Sequence, residues 1–326
     1  MRAVVLDGHG GPEVLQIREV PDPVPGPEEV VVEVTGTALN RADLLQRLGL
    51  YPGPPTEIEI PGLEFAGRVA EVGERVRAWS VGDEVMGIVG GSAYAERVAT
   101  HERALLPVPS TVPLADASAL PEVFLTAYDA LVVQGGMTSG RWALVHAGAS
   151  GVGTAGIQIM KAIGARIIVT ASAGKLDACR QLGADVVVDY GSESFVEAVR
   201  EATGRAGVDC VLDVIGGEYL DGNIDSVRVG GRIIQVGVMG QGQATIALGK
   251  LLPKRAALIG TVLRARPLEE KIALTQRFRA EMLPLFESGA MRPVIDSRYP
   301  LDRIAEAHER MESNANVGKI MIDVVA

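Results

Sequence analysis

Two cysteines, Cys179 and Cys210, and four histidines in 326 residues leave little from which a disulfide framework or a thiolate metal site could be assembled. Neither cysteine has metal-ligand spacing. Aromatic residues amount to 4% against 47% hydrophobic, so the cores must be built mainly from Val, Ile, Leu and Ala. No apolar run approaches the ~18 residues of a membrane span. No signal-type apolar region precedes the strand pattern that opens at Met1, and a soluble, cytoplasmic protein is expected. Long runs of one charge are also missing. The 31 basic and 41 acidic residues are interspersed and sum to −10, which argues against nucleic acid or an anionic membrane as a partner.

What is present is organised around residues 142–164. A short apolar run, 142–146, has the length and type of a buried parallel strand. A small-residue turn follows, then a helical pattern through Ile157, Met160 and Ile163 that stops at Gly164. Read as G-x-G-x-x-G, Gly148 and Gly153 match the first and third glycines, while Ser150 stands at the middle position with Gly151 beside it. A degenerate glycine motif alone is weak, but this one opens a strand–turn–helix–strand unit, the setting in which helix amides hold a diphosphate. A dinucleotide site is expected here.

The next strand, 166–170, bears on which dinucleotide. An NAD site usually has an Asp or Glu about 20 residues past the glycines to accept from the ribose 2′-OH. Here the strand ends in Ala171, Ser172, Ala173, Gly174 and Lys175. A small hydroxyl and a lysine suit a 2′-phosphate in size and charge, and Tyr190, after the 186–189 strand, can close the same pocket. NADPH is the expected cofactor.

Length suggests about two domains. Residues 1–118 alternate short strand candidates with Gly/Pro punctuation and hold one short helix, 40–48, which suggests a small, partly open barrel. The 51–55 stretch reads as an exposed loop. From Pro121 β and α patterns alternate to about residue 262, which predicts an α/β, doubly wound parallel sheet. Gly183, Gly204 and the Gly230–Gly231 pair fall where helices should stop. Helices over 268–288 and 302–312 and a last strand, 319–324, follow. With no further βαβ unit, this piece is expected to return to the first domain, giving units 1–120 plus 264–326 and 121–263. An apolar strand candidate at 256–260 makes sheet extension into a homodimer, or a tetramer, plausible.

Over essentially the whole chain, segments 10–15, 38–43, 61–67, 81–85, 145–164, 213–217, 230–232 and 316–319 resemble the zeta-crystallin-like quinone oxidoreductase branch of the medium-chain dehydrogenases/reductases. Within it, the 40–51 and 146–154 segments are most similar to the tumour-suppressor-inducible NADPH quinone oxidoreductases. The resemblance implies a GroES-like, mostly β catalytic domain beside a Rossmann-type NADPH domain, with the active site in the cleft between them. Zinc members of the superfamily have a Cys where this chain has Asn40, a His where it has Leu63, and a third ligand, a Cys, near Glu122. Asn40 and Leu63 are not plausible zinc ligands, so no metal is expected.

A site without zinc must reduce something whose product anion needs little Lewis-acid help, with the cofactor carrying the hard step. Quinones fit; so do alkenes conjugated to a carbonyl. Asn40 and Tyr51 are the polar groups expected at the substrate. On sequence alone Asn40 is equally readable as a helix N-cap and Tyr51 as an ordinary loop aromatic. The resemblance further implies that Thr126 packs on the nicotinamide and that backbone N–H groups of Ser150, Gly151 and Val152 meet the diphosphate. Gly237, Val238, Met239 and Gly240 would lie along the nicotinamide amide, and Leu263, Arg264 and Lys319 would approach from the C-terminal segment. His146 reads as a satisfied core histidine. The expected function is NADPH:quinone oxidoreduction. The alternatives are an alkenal, enone or enoyl-thioester reductase and a non-catalytic NADPH-binding sensor or structural protein.

Overall fold

The alternating segments from residue 126 onward form a six-stranded sheet in which every neighbouring pair is parallel. In spatial order its strands are Val186–Asp189, Arg166–Ala171, Trp142–Val145, Val208–Asp213, Val227–Gln235 and Ala257–Gly260. Numbered along the chain this is 3-2-1-4-5-6, the Rossmann order, and it reverses between Trp142–Val145 and Val208–Asp213. Such a reversal leaves a crevice at the carboxyl ends of the strands, where doubly wound sheets bind ligands. The sheet is held by Leu144, Ile168, Val188, Val211 and Ile233, packed against Val199, Leu220 and Ile224 from the helices. Each fully buried aliphatic side chain of this kind contributes roughly 1.5–3 kcal/mol.

This is a computed structural model, and it describes residues 1–324 except Pro52, Pro54 and Pro55. Those three prolines belong to the loop expected at 51–55, so that expectation lies largely outside the described residues. The chain divides into two units, Met1–Leu125 with Arg264–Ala326, and Thr126–Leu263. The dividing line falls five residues later than the sequence suggests, inside the Pro121–Tyr128 helix.

In the first unit the long strand Glu29–Ala38 is the centre of a seven-stranded sheet. It pairs antiparallel with Glu64–Val72, Arg97–His101 and Lys319–Asp323. The last pairing returns the C-terminal segment to this unit. Its register sets Met321 opposite Ala38, and the other neighbour sets Phe65 opposite Thr37. One or two residues further along the strands, Asn40, Glu64 and Lys319 therefore meet at one end of the sheet. Val32, Val34, Phe65, Val85, Leu105 and Ile320 form the core beneath them.

Some elements differ from the sequence pattern. Gly230 and Gly231 do not stop a helix; they lie within the Val227–Gln235 strand, where Gly230 takes φ +75° and the pairing with Val208–Asp213 slips register. A glycine in a strand interior often marks such a bulge. The helix over 268–288 is broken into Leu268–Glu281 and Leu283–Glu287, because Pro284 offers no amide to continue the first helix. The Ile295–Pro300 strand carries no alternating apolar pattern, since it is a half-exposed edge that among the described residues pairs only with Lys319–Asp323.

Candidate functional site: a nucleotide loop and a buried ion cluster

In the Thr126–Leu263 unit, the turn after Trp142–Val145 is tightly constrained. Ala147 takes φ +55°. A Cβ on Gly148 would lie 2.6 Å from Val169 Cβ, and one on Gly153 would lie 2.3 Å from the Ala147 carbonyl oxygen. Both positions therefore require glycine. Ser150 caps the Gly151–Ala162 helix, its hydroxyl accepting from the Gly153 N–H at 3.0 Å. The Ser150 amide, expected among the phosphate donors, is used elsewhere: it donates to Ala147 O at 2.9 Å. The first-turn amides of Gly151 and Val152 have no carbonyl to meet within the helix and point outward from its N-terminus, where an anion is favoured. This loop has the form that admits a diphosphate.

At the neighbouring strand end, Ala171 sits opposite Asp189, and the Tyr190 N–H donates to the Ala171 carbonyl at 3.3 Å. Ser172, Lys175 and Tyr190 are thereby gathered at one edge, with Tyr190 54% exposed. The nearby carboxylate of Asp189 is committed to its own turn, accepting from Gly191 N–H at 3.0 Å and Ser192 hydroxyl at 2.9 Å. On the other side of the switch point, residues 237–240 are fixed by Met239 N–H to Val214 O and Gly240 N–H to Ile215 O, at 3.0 and 2.9 Å. Val238 and Met239 are exposed, whereas Thr126 and Leu263 are buried.

Beneath these loops runs a buried polar chain. Asp213 accepts from the Ile215 and Gly216 amides at 2.6 and 2.9 Å and from Asn223 Nδ2 at 2.8 Å. Asn223 Oδ1 meets His146 Nε2 at 2.7 Å, and His146 Nδ1 meets Thr170 Oγ1 at 3.1 Å. Because Asn223 gives its amide hydrogens to Asp213, the consistent assignment puts the imidazole proton on Nε2, with Nδ1 accepting from Thr170. Burial holds the His146 pKa below its ordinary value. It is a satisfied core histidine, as its strand position suggests.

In the other unit, the end of the Glu29–Ala38 sheet carries a buried ion cluster. Lys319, 3% exposed, donates to Leu39 O at 2.6 Å, to Asn40 Oδ1 at 2.7 Å and to Glu64 Oε1 at 2.7 Å. An ammonium has three donors, and all are taken. Lys319, expected to approach the cofactor from the C-terminal segment, here gives its charge to Glu64. Asn40 is bound into the same cluster. Its Nδ2 donates to Glu64 Oε1 and Ala38 O at 2.9 and 3.2 Å, and its Oδ1 receives Lys319, so its amide has no hydrogen left for a substrate. Its N–H donates to Asp43 Oδ2 at 2.8 Å at the start of the Arg41–Arg47 helix, which makes the N-cap the better description.

Arg264 is also committed within this unit. Nε donates to Gly90 O, Nη1 to Tyr51 O and Nη2 to Gln46 Oε1, at 2.7, 3.1 and 2.8 Å, and its guanidinium lies 5.0 Å over the Tyr51 ring. Arg264 thus holds the Tyr51 loop in place, whereas a cofactor contact was expected. Tyr51 is half-buried, and burial pushes its phenol above the ordinary range. A cavity of about 260 Å³ opens nearby, lined among others by Gln46, Gly53, Glu59, Gly90, Leu268 and Lys271.

Sequence reasoning missed Asp43, Tyr94, Gln46 and Lys271. Tyr94 OH donates to Asp43 Oδ2 at 2.9 Å, and the Glu122 N–H donates to Glu64 Oε2 at 2.8 Å. Asp43 and Gln46 share the Arg41–Arg47 helix, but Tyr94, Glu64, Glu122 and Lys271 lie in other segments with no spacing in common with it, so only tertiary structure could have pointed to the grouping.

The comparisons agree with this geometry. Residues 26–110 match the alcohol dehydrogenase GroES-like domain, and residues 182–322 match a family described as zinc-binding dehydrogenase. The quinone oxidoreductase of Lama guanicoe is 31% identical over 99% of this chain and 97% of its own. Among solved structures, an NAD-dependent alcohol dehydrogenase is similar at TM-score 0.89 and 33% identity, covering all of both chains. The Escherichia coli quinone oxidoreductase complexed with NADPH reaches TM-score 0.89 at 29% identity, covering 99% of this chain and all of that one. The CurK enoyl reductase follows at 0.86 and 26%, covering 99% and 98%. With a Rossmann-order sheet, a GroES-like unit and a full-length relative above 30% identity, the chain belongs to the zeta-crystallin-like quinone oxidoreductase family of the medium-chain dehydrogenases/reductases.

Proposed function

We propose that this oxidoreductase is a zinc-independent, NADPH-dependent reductase of small aromatic or ortho-quinones. The observation that carries the cofactor reading is the end of the Arg166–Ala171 strand, where no carboxylate is offered to a ribose hydroxyl and Ser172, Lys175 and Tyr190 are gathered instead. Bound NADPH would supply the hydride. The chain's own work is to bind it through the Gly151 and Val152 amides, to select its 2′-phosphate, and to present a substrate with polar groups near the developing oxyanion. Tyr51, pinned over Arg264, is a rigid flat surface with a hydroxyl and fits either stacking or donation.

Zinc independence rests on donor chemistry. Asn40 is saturated by Lys319, Glu64 and Ala38, and Leu63 is apolar and buried. Among the described residues no group of three or more His, Cys, Asp or Glu is placed to hold a metal ion.

The test is NADPH oxidation by metal-stripped protein with 9,10-phenanthrenequinone or 1,2-naphthoquinone, beside NADH and beside a 2-alkenal. Rapid quinone-dependent loss of NADPH is expected. Lys175→Ala should raise KM for NADPH by about tenfold or more, the weight of roughly 1.4 kcal/mol, and leave KM for NADH nearly unchanged. Turnover with the alkenal alone would assign the site to alkene reduction, a chemistry the CurK enoyl reductase likeness favours as second reading. Tight NADPH binding without any turnover would make the protein a sensor.

A further inference from the structure

In the Thr126–Leu263 unit, parallel pairing sets Val169, Val145 and Leu212 side by side across the three strands that flank the switch point. One residue further along stand Thr170, His146 and Asp213, at the carboxyl ends where the crevice opens. Between these three strands the backbone bonding thins out here to His146 N–H on Leu212 O at 3.1 Å and Gly148 N–H on Thr170 O at 2.8 Å. Side chains make the rest of the connection. Equivalent register turns Thr170, His146 and Asp213 to one face of the sheet. There the Tyr219–Ser226 helix adds Asn223 and completes a chain of four.

All four members are buried, and their hydrogen bonds run in one direction. The Thr170 hydroxyl donates to His146 Nδ1, His146 Nε2–H donates to Asn223 Oδ1, and Asn223 Nδ2 donates to Asp213 Oδ2. Asp213 Oδ1 then closes the 214–217 turn by accepting the Ile215 and Gly216 amides, and Met239 and Gly240 hang on the Val214 and Ile215 carbonyls. At its other end the chain stops one residue short of the 171–175 segment. The imidazole in the middle is clamped by the Phe195 and Tyr219 rings, both T-shaped to it with centroids 4.9 and 4.8 Å away. A neutral imidazole accepts on one nitrogen while it donates from the other. An aliphatic side chain could fill the same space, but it would leave Thr170 and Asn223 unjoined.

We propose that His146 is a positioning residue for the cofactor. By joining Thr170 to Asn223 and Asp213, it fixes the distance between the 2′-phosphate edge at 172–175 and the 214–217 turn with its attached 237–240 loop. The inference rests on the NADPH reading above. A dinucleotide gains affinity over its halves only when both halves can be engaged at once, so the separation of the two subsites enters directly into binding.

Calorimetric titration of the full chain with NADPH and with 2′,5′-ADP, a fragment that reaches only the 2′-phosphate edge, tests this. His146→Leu removes both imidazole bonds, Thr170→Val removes one hydroxyl and keeps the branched shape, and His146→Gln restores a donor and an acceptor. NADPH affinity should fall about tenfold in His146→Leu and several-fold in Thr170→Val, with 2′,5′-ADP affinity held within about twofold and most of the loss recovered in His146→Gln. If His146→Leu does not fold, Thr170→Val carries the same comparison. Folded variants that bind NADPH as the wild type does would overturn the proposal and leave His146 a role in stability alone. Equal losses for NADPH and the fragment would also overturn it, because the damage would then lie at the 2′-phosphate edge. A wild type that prefers NADH would instead sink the cofactor reading, and the same split measured with NADH and 5′-ADP would decide the role of His146. A wild type that binds neither dinucleotide would overturn both.

Discussion

Single residues carry the sharpest consequences of burial. Removing Lys319 would leave Glu64, which has no solvent exposure, as an uncompensated charge. Lys319→Met should cost about 3–5 kcal/mol in urea unfolding, and Lys319→Met with Glu64→Gln distinctly less than the two single losses together. His308 is a second case. It has no solvent exposure, and neither ring nitrogen has a hydrogen-bond partner among the described residues. Burial, aided by Arg47, pushes its pKa down to about 3 from 6.5. The folded chain keeps this ring neutral while the unfolded chain takes up a proton, so its contribution is present above pH 6.5 and is lost as pH falls towards 3. The wild type should therefore lose stability on acidification below 6.5, by up to about 1.4 kcal/mol per pH unit from this group, and His308→Leu should flatten the profile. None of this was legible from residue identity. Asn40 was equally readable as cap or ligand, and its partners lie 24 and 279 positions away along the chain.

Elements were more legible, because periodicity and punctuation are local. The Gly151–Ala162 helix and its Gly164 stop follow from small residues placed where backbone must turn, whereas the Ser150 cap is seen only in the structure. Two substitutions separate the cap from the cradle. Ser150→Ala removes the acceptor for the Gly153 amide and should cost about 1 kcal/mol of stability. Gly153→Ala places a Cβ 2.3 Å from the Ala147 carbonyl, so the loop must shift. Fluorescence titration should show NADPH affinity falling well over tenfold for Gly153→Ala and far less for Ser150→Ala. The Gly230–Gly231 pair was misjudged as a helix stop for a physical reason: a bulge and a C-cap both ask for left-handed backbone, and only strand pairing distinguishes them.

At the scale of the molecule, the six-stranded sheet ends at Ala257–Gly260, whose outer side is unpaired among the described residues. Leu258 on that strand and Leu248 and Leu252 on the preceding Leu248–Lys254 helix are 46%, 66% and 77% exposed. Open edges with apolar side chains favour pairing with another copy. We propose a homodimer formed there. Light scattering should give twice the 34.3 kDa chain mass for the wild type and the single mass for Leu258→Glu; a wild-type monomer would remove the proposal.

The sequence by itself determined the alternation of strands and helices, the tight glycine turn before the Gly151–Ala162 helix and the return of the last strand to the first unit. These rest on side-chain period, on glycine's freedom of backbone and on the missing partner for a final strand. Tertiary structure alone decided which polar groups are available for chemistry. Sheet register gathers Asn40, Glu64 and Lys319 from distant segments and satisfies them against one another. Hydrogen-bond saturation and charge balance are properties of a place in space, and no spacing along the chain encodes them.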